Sequence, residues 1–162
     1  MNRKIKILFV AVWLVVIFVF SAQPDMHSYA VSGSVSYRLV QLYDGLTGME
    51  HTPAELEQMA LRIEYPVRKA AHMSEYAVLA MLLLATFYAY SKKEAGTAKI
   101  RLLSLWSLAG VFFFACLDEF HQLFVQGREG KFTDVLIDAA GAAAALLVAD
   151  LFLYMKMKKR KR

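Results

Sequence analysis

The chain has 162 residues, 58% hydrophobic and 13% aromatic, with a formal net charge of +5. A soluble domain averages roughly 45–50% apolar; here the excess is gathered into four blocks separated by charged segments, the composition of a small multi-span membrane protein. A single cysteine, Cys116, excludes an internal disulfide and a cysteine-based metal site, and neither a metal nor a cofactor is expected.

The first block, Ile7 to Ala22, follows the basic start MNRKIK. Basic start, apolar core and the small residues Val19 and Ser21 also fit a signal peptide. Cleavage would leave three spans and place the basic carboxyl tail outside, so a retained span is expected. Residues 23–67 form a long, mildly acidic loop. Within it Thr52-Pro53-Ala54-Glu55 reads as a helix start, with Thr52 as cap, Pro53 at the first helical position and Glu55 reaching back to the cap amide. Leu56, Met59, Ala60 and Ile63 then share an apolar face, and Val31, Val35, Leu39, Leu42 and Leu46 suggest a second such helix. Both are expected as short amphipathic helices on the outer membrane surface or over the bundle, packed against the spans.

The second span covers about 70–90 and the third starts at Leu102. Crossing a hydrocarbon core of ~30 Å takes roughly 20 residues. Leu102–Leu117 supplies only 16, so the third span is expected to continue to about Val125, through CLDEFHQLFV at 116–125. The fourth covers about 135–155 and a basic tail, 156–162, closes the chain. The whole is a single all-α membrane domain, a bundle of four transmembrane helices.

Lysine and arginine set its direction. Arg3, Lys4 and Lys6, then Lys92, Lys93, Lys99 and Arg101, then Lys156, Lys158, Lys159, Arg160, Lys161 and Arg162 all fall on one side of four spans. By the positive-inside rule both termini are cytoplasmic and the loop 23–67 is extracytoplasmic. The tail is then a topology anchor near anionic lipid, and no nucleic-acid partner is expected.

At about 100° per residue, Asp118, His121 and Gln122 fall on one face of the third span with Glu119 at its margin, opposite Phe113, Leu117, Phe120 and Phe124. Arg68, His72, Glu75 and Leu79 align on the second, beside Lys69 and Tyr76; Asp134, Asp138, Gly141 and Ala145 align on the fourth. Ser21 and Gln23 end the first span at the same level, and the connector QGREGKF adds Arg128 and Lys131. A charge in lipid costs about 2.5–3.5 kcal/mol on insertion scales, so these stripes are expected to face one another around a polar pocket near the outer surface. Gly141 and Ala145 allow close helix approach. His27 and His51 read as surface residues, Asp150 as a partner of the basic tail, and Cys116 as a small core residue.

FSAQP (20–24), RKAAHMSEY (68–76) and DEFHQLFVQGREGKFTDVLID (118–138), followed by Gly141, resemble the signature blocks of the VanZ-like family. These are small bacterial membrane proteins named for an accessory protein that lowers susceptibility to the glycopeptide teicoplanin. Met73 departs from the usual aromatic and Gln126 from a common proline. The resemblance implies a role in the cell envelope and a bacterial membrane location, and names no reaction.

Three functions are compatible with these residues. In the first, the pocket binds an anionic lipid or glycopeptide-related ligand, with Arg68, Lys69 and Arg128 on phosphate and His72 and His121 sharing protons. Ser21, Gln23, Glu75, Asp118, Glu119, Gln122, Asp134 and Asp138 complete this ligand set. In the second, Glu75, Asp118, Glu119 and His121 serve as acid–base groups of an intramembrane hydrolase or transferase, with or without a divalent metal. No Ser or Cys nucleophile sits with a base, which leans the reading away from an enzyme. In the third, the network is a scaffold that fixes helix register or binds a partner subunit. Ligand identity and oligomeric state are left open.

Overall fold

A computed structural model describes residues 2–91 and 96–160. Five α-helices follow in order: α1 (Arg3–Ser21), α2 (Asp25–Thr47), α3 (Pro53–Tyr90), α4 (Thr97–Gln122) and α5 (Phe132–Arg160), with no strand among the described residues. Of these, α1, α3, α4 and α5 are long and apolar enough to cross a membrane. A helix satisfies its own backbone donors and acceptors, which hydrocarbon cannot do. Lys92, Lys93, Lys161 and Arg162, counted above for topology, lie outside the described residues.

Connectivity fixes the two ends of the bundle. Gln122 at the end of α4 donates to Ser21 at the end of α1 (3.2 Å), and the Arg3 guanidinium lies 5.3 Å from the centre of the Tyr90 ring at the end of α3. α1 and α4 therefore run one way and α3 and α5 the other. Arg3, Lys4, Lys6, Lys99, Arg101, Lys156, Lys158 and Lys159 gather at the end where α3 and α5 finish. There Lys6 Nζ also donates to the Ala85 carbonyl at 3.0 Å. The opposite end holds the polar residues described below.

The core is built mostly from small and medium side chains around Tyr76: with it, Leu79 and Ala80 of α3, Val111 and Ala115 of α4, and Val135 and Ala142 of α5 are almost wholly buried. Larger apolar side chains such as Phe113, Leu117, Phe120, Leu147 and Phe152 point outward, as expected of a surface solvated by lipid. At Gly141 a Cβ would stand 2.6 Å from the Met73 carbonyl oxygen, so α5 lies directly on the backbone of α3. Trp13 Nε1 donates to the Glu75 carbonyl at 2.9 Å and ties α1 to the outside of α3. Cys116 is half-buried against this core.

The largest departure from expectation is α3. The capping box at Thr52 and Glu55 is present, but the helix it opens is not a separate amphipathic piece. It runs 38 residues through Pro66 into the second span, about 57 Å at the standard rise. Proline's fixed φ suits a helix; its cost is one missing amide donor and a ring clash with the preceding turn, about 3 kcal/mol in an interior. Here α2 offsets that cost by clamping α3 on both sides of the proline. Ser32 Oγ donates to Glu64, and Arg68 Nη1 donates to Asp25 at 2.7 Å while its Nε reaches Glu64 at 3.3 Å.

α2 also shows a different face from the one expected. Ser32, Ser36 and Val40 pack against Leu56, Ala60 and Glu64 of α3, whereas Val31, Val35, Leu39, Leu42 and Leu46 are exposed. The helix ends at Gly48 in the left-handed region, φ 65°, where glycine carries no steric penalty. His51, expected as an ordinary surface residue, instead closes the hairpin through Nδ1 to Asp44 at 2.6 Å.

Two further boundaries differ. α4 stops at Gln122, so Leu123, Phe124 and Val125 lie in turns closed by Phe124 N to His121 O and Val125 N to Gln122 O, both 3.0 Å. The chain then reverses at Gly127, φ 77°. α5 extends beyond the expected 135–155 at both ends, to Phe132 and Arg160. Asp150 accepts from Ser104 of α4 at 2.7 Å and makes no ion pair with a described tail residue.

Candidate functional site

A cavity of about 300 Å³ lies at the polar end, where α2, α3, α4, α5 and the α4–α5 connector meet. From α3 come Tyr65, Arg68, Lys69 and His72; from α4, Glu119 and Gln122; from the connector, Arg128, Glu129 and Lys131; from α5, Asp134; from α2, Asp25. Of the residues expected from the sequence to form a pocket, Arg68, Lys69, His72, Glu119, Gln122, Arg128 and Asp134 therefore line one space. Among the described residues, no group of three or more His, Cys, Asp or Glu side chains is arranged to hold a metal ion.

Most of the cations already have carboxylate partners. Arg68 is held by Asp25 and Glu64. Lys69 pairs with Asp134 and lies over the Tyr65 ring, 5.3 Å from its centre. Lys131 pairs with Glu129 at 2.8 Å; the ammonium holds the Glu129 carboxyl below its ordinary range, and the carboxylate pushes the lysine up.

Arg128 differs from the other three. Its Nε donates to the Gln23 carbonyl at 3.1 Å, its Nη1 faces Gln122 Oε1 at 3.5 Å and its Nη2 donates to Ser28 Oγ. All three acceptors are neutral, and among the described residues Arg128 has no carboxylate partner. The connector holds it in place. Asp25 N donates to the Gln126 carbonyl at 3.3 Å, and Lys131 N donates to Glu119 Oε2 at 2.7 Å. Gly130 lies so close to the Glu119 carbonyl and the Leu123 side chain that a Cβ there has no room.

The remaining expected residues lie deeper or to one side. Gln122 Nε2 bridges Ser21 Oγ and Asp118 Oδ2, each at 3.2 Å, and all three residues are buried. Asp138 is 2% exposed, and its carboxylate makes neither an ion pair nor a hydrogen bond among the described residues. Glu75 is half-buried and does not line the cavity. Gln23 contributes its carbonyl to Arg128, while its side chain bonds His27.

His121 is the clearest correction on α4. It turns away from the cavity toward α1, its ring 4.5 Å from that of Phe18, and Glu119 takes the inward place beside Gln122. The buried stripe of α4 runs through Ser104, Ser107, Val111, Ala115, Asp118, Glu119 and Gln122. Its centre passes between the last three residues and leaves His121 on the flank.

Sequence reasoning missed the contribution of α2: Asp25, Ser28 and Ser32, with Glu64 and Tyr65 facing them from α3. The signal was present as a polar stripe, Asp25, Ser28, Ser32 and Ser36, at helical spacing alongside the apolar stripe of the same helix.

Four apolar helices around a small core, with a charged cavity at one end, define a compact helical protein of multi-span membrane type. The family model described as VanZ/LLP1 matches residues 6–153, and the chain belongs to that family. No curated protein and no solved structure matches it.

Proposed function

We propose that this VanZ-family protein resides in the bacterial cell membrane with both termini cytoplasmic. There it binds the anionic group of an envelope ligand, a lipid phosphate or a glycopeptide-related anion, in the cavity beside Arg128. The orientation rests on the basic residues gathered at the end opposite the cavity. The binding rests on one observation above all: Arg128 is a half-buried guanidinium lining the cavity, fixed by neutral acceptors and lacking a carboxylate partner among the described residues. An uncompensated cation of this kind gains from an anion, and a guanidinium can meet two phosphate oxygens at once. His72 lines the same space without a hydrogen bond to any described residue, which leaves its ring nitrogens for the ligand. Altered susceptibility to teicoplanin, the effect for which the family is named, would follow if the ligand were one on which the antibiotic depends.

The test is lipid analysis by mass spectrometry of the purified protein. Wild type retains anionic phospholipid above its share of the membrane, and Arg128→Gln does not. Equal lipid content in the two proteins defeats the reading.

A second reading, acid–base chemistry within the membrane, is favoured by Asp138. Its buried carboxylate, without an ion pair or hydrogen bond among the described residues, lies among Glu119, Asp118, Lys69 and Asp134. Proton exchange fits such a group better than a static scaffold, which would carry the cost of a buried carboxylate crowded by three others without return.

A further inference from the structure

A separate cavity of about 280 Å³ lies between α1 and α4. Asp118 lines it, while Gln122, hydrogen bonded to Asp118, lines the charged cavity, so that pair is the partition between the two spaces. The walls are apolar: Leu14, Ile17 and Phe18 on one side, Phe114 and Leu117 on the other. Besides Asp118, two residues with an unpartnered polar atom line it. Tyr76 is 0% exposed, and its hydroxyl lies near Asp118 without reaching hydrogen-bond geometry; His121 Nδ1 is buried and likewise lacks a partner among the described residues.

Buried polar atoms without partners are uncommon and costly, so two on one apolar cavity call for a ligand with a matching polar point. One water molecule could bond them together with Asp118, but the space is about nine times the ~30 Å³ that a water occupies, and the rest of its walls are apolar. Depth narrows the choice further. Phe18 and His121 sit in the last turns of α1 and α4, where apolar helix gives way to polar residues. In a bilayer that is the boundary between acyl chains and head groups.

We propose that this cavity takes one acyl chain of a glycerolipid, whose ester carbonyl accepts hydrogen bonds from the Tyr76 hydroxyl and from His121 in the tautomer protonated on Nδ1. The proposal deepens the phosphate reading and rests on it for the head group: one lipid would set its phosphate beside Arg128 and its ester on the other side of the Asp118–Gln122 partition.

The test compares ester with ether lipids on the full chain in nanodiscs, by competition native mass spectrometry. Phosphatidylglycerol is set against its diether analogue, and diacylglycerol against dialkylglycerol. Wild type should prefer each ester about tenfold, the scale of a hydrogen bond to a buried donor. Tyr76→Phe, which removes only an unpartnered hydroxyl and keeps the ring, should bring that ratio close to one; His121→Leu should lower it as well. Equal binding of ester and ether by wild type overturns the proposal and leaves only bound water to explain the two groups. An ester preference unchanged in both variants overturns it too. The phosphate reading is judged separately by phosphatidylglycerol against uncharged diacylglycerol: loss of that preference with the ester preference intact sinks the head-group reading alone.

Discussion

Arg68 on α3 and Asp25 on α2, 43 positions apart in the chain, meet at 2.7 Å directly beyond Pro66. The same guanidinium reaches back to Glu64 on the other side of the proline, so one side chain spans the weak turn of the longest helix. Asp25→Ala should release α2 from α3 and let the proline turn fray. With Asp25 partly exposed, the loss is about 1 kcal/mol. Amide hydrogen exchange should quicken around 62–70 while the second half of α3 keeps its protection. Unchanged exchange there would show that the proline needs no clamp.

Lys69 and Asp134 join α3 to α5 at the cavity mouth, with both side chains less than one-fifth exposed. Removing one partner strands the other. Asp134→Ala should therefore cost about 2 kcal/mol in unfolding measurements, and the double replacement Lys69→Met, Asp134→Leu should recover at least half of it. A double variant as unstable as the sum of the two singles would contradict this account.

Gly141 predicts a steric effect independent of charge. Its Cβ would stand 2.6 Å from the Met73 carbonyl and 2.9 Å from the Met73 Cα, backbone atoms that cannot swing aside. Gly141→Ala should lower stability in detergent by about 1–3 kcal/mol through separation of α3 and α5. Gly33→Ala is a suitable control, since a Cβ there meets nothing within 4 Å. Equal melting of the two variants would argue against close α3–α5 packing.

At the far tip of the hairpin, the hydrogen bond from His51 holds the Asp44 carboxyl below its ordinary value of 3.8. A carboxylate depressed by folding contributes stability above its unfolded value and loses it as pH falls through the folded one. Protection of the Gly48 to His51 amides should therefore persist above pH 3.8 and fade below it. His51→Ala should remove that pH dependence. A tip whose exchange responds to acid identically in the variant would rule out this linkage.

Topology is open to cysteine labelling in a Cys116→Ser background. Gly130 is unsuitable because a Cβ there collides with the Glu119 carbonyl, whereas the neighbouring Glu129 side chain is 77% exposed. Glu129→Cys and Gly96→Cys should react from opposite faces of the membrane, the first from outside the cell. Labelling of both from one face would refute the proposed orientation.

Much of this was legible in the sequence. Four apolar blocks, the Thr52 capping box, the outward-facing phenylalanines of α4 and the alignment of Arg68, His72, Glu119, Gln122 and Asp134 at one level all followed from helical spacing. Spacing fixes angles within a helix but not the rotation of that helix in the bundle. His121 was accordingly placed with Asp118 and Gln122, whereas the Gln122–Ser21 bond turns it toward Phe18. The second span was expected to begin at about residue 70, after a separate loop helix, because the clamp that lets α3 run through Pro66 comes from a helix 43 residues away. α2 misled for a related reason. Its apolar stripe suggested a buried face, but its serines pack on α3 and Val31, Leu39 and Leu42 stay outside.

The central claim is that Arg128 meets a phosphate. Magnetisation transfer between lipid phosphorus and the guanidinium nitrogens, in solid-state NMR of arginine-labelled protein reconstituted with phosphatidylglycerol, tests it without reference to phenotype. The predicted result is a close contact at one guanidinium signal that is lost in Arg128→Gln and kept in Arg101→Gln, while any contacts of the tail arginines persist in both. A wild-type spectrum in which no phosphorus contact is lost on replacing Arg128 would contradict it.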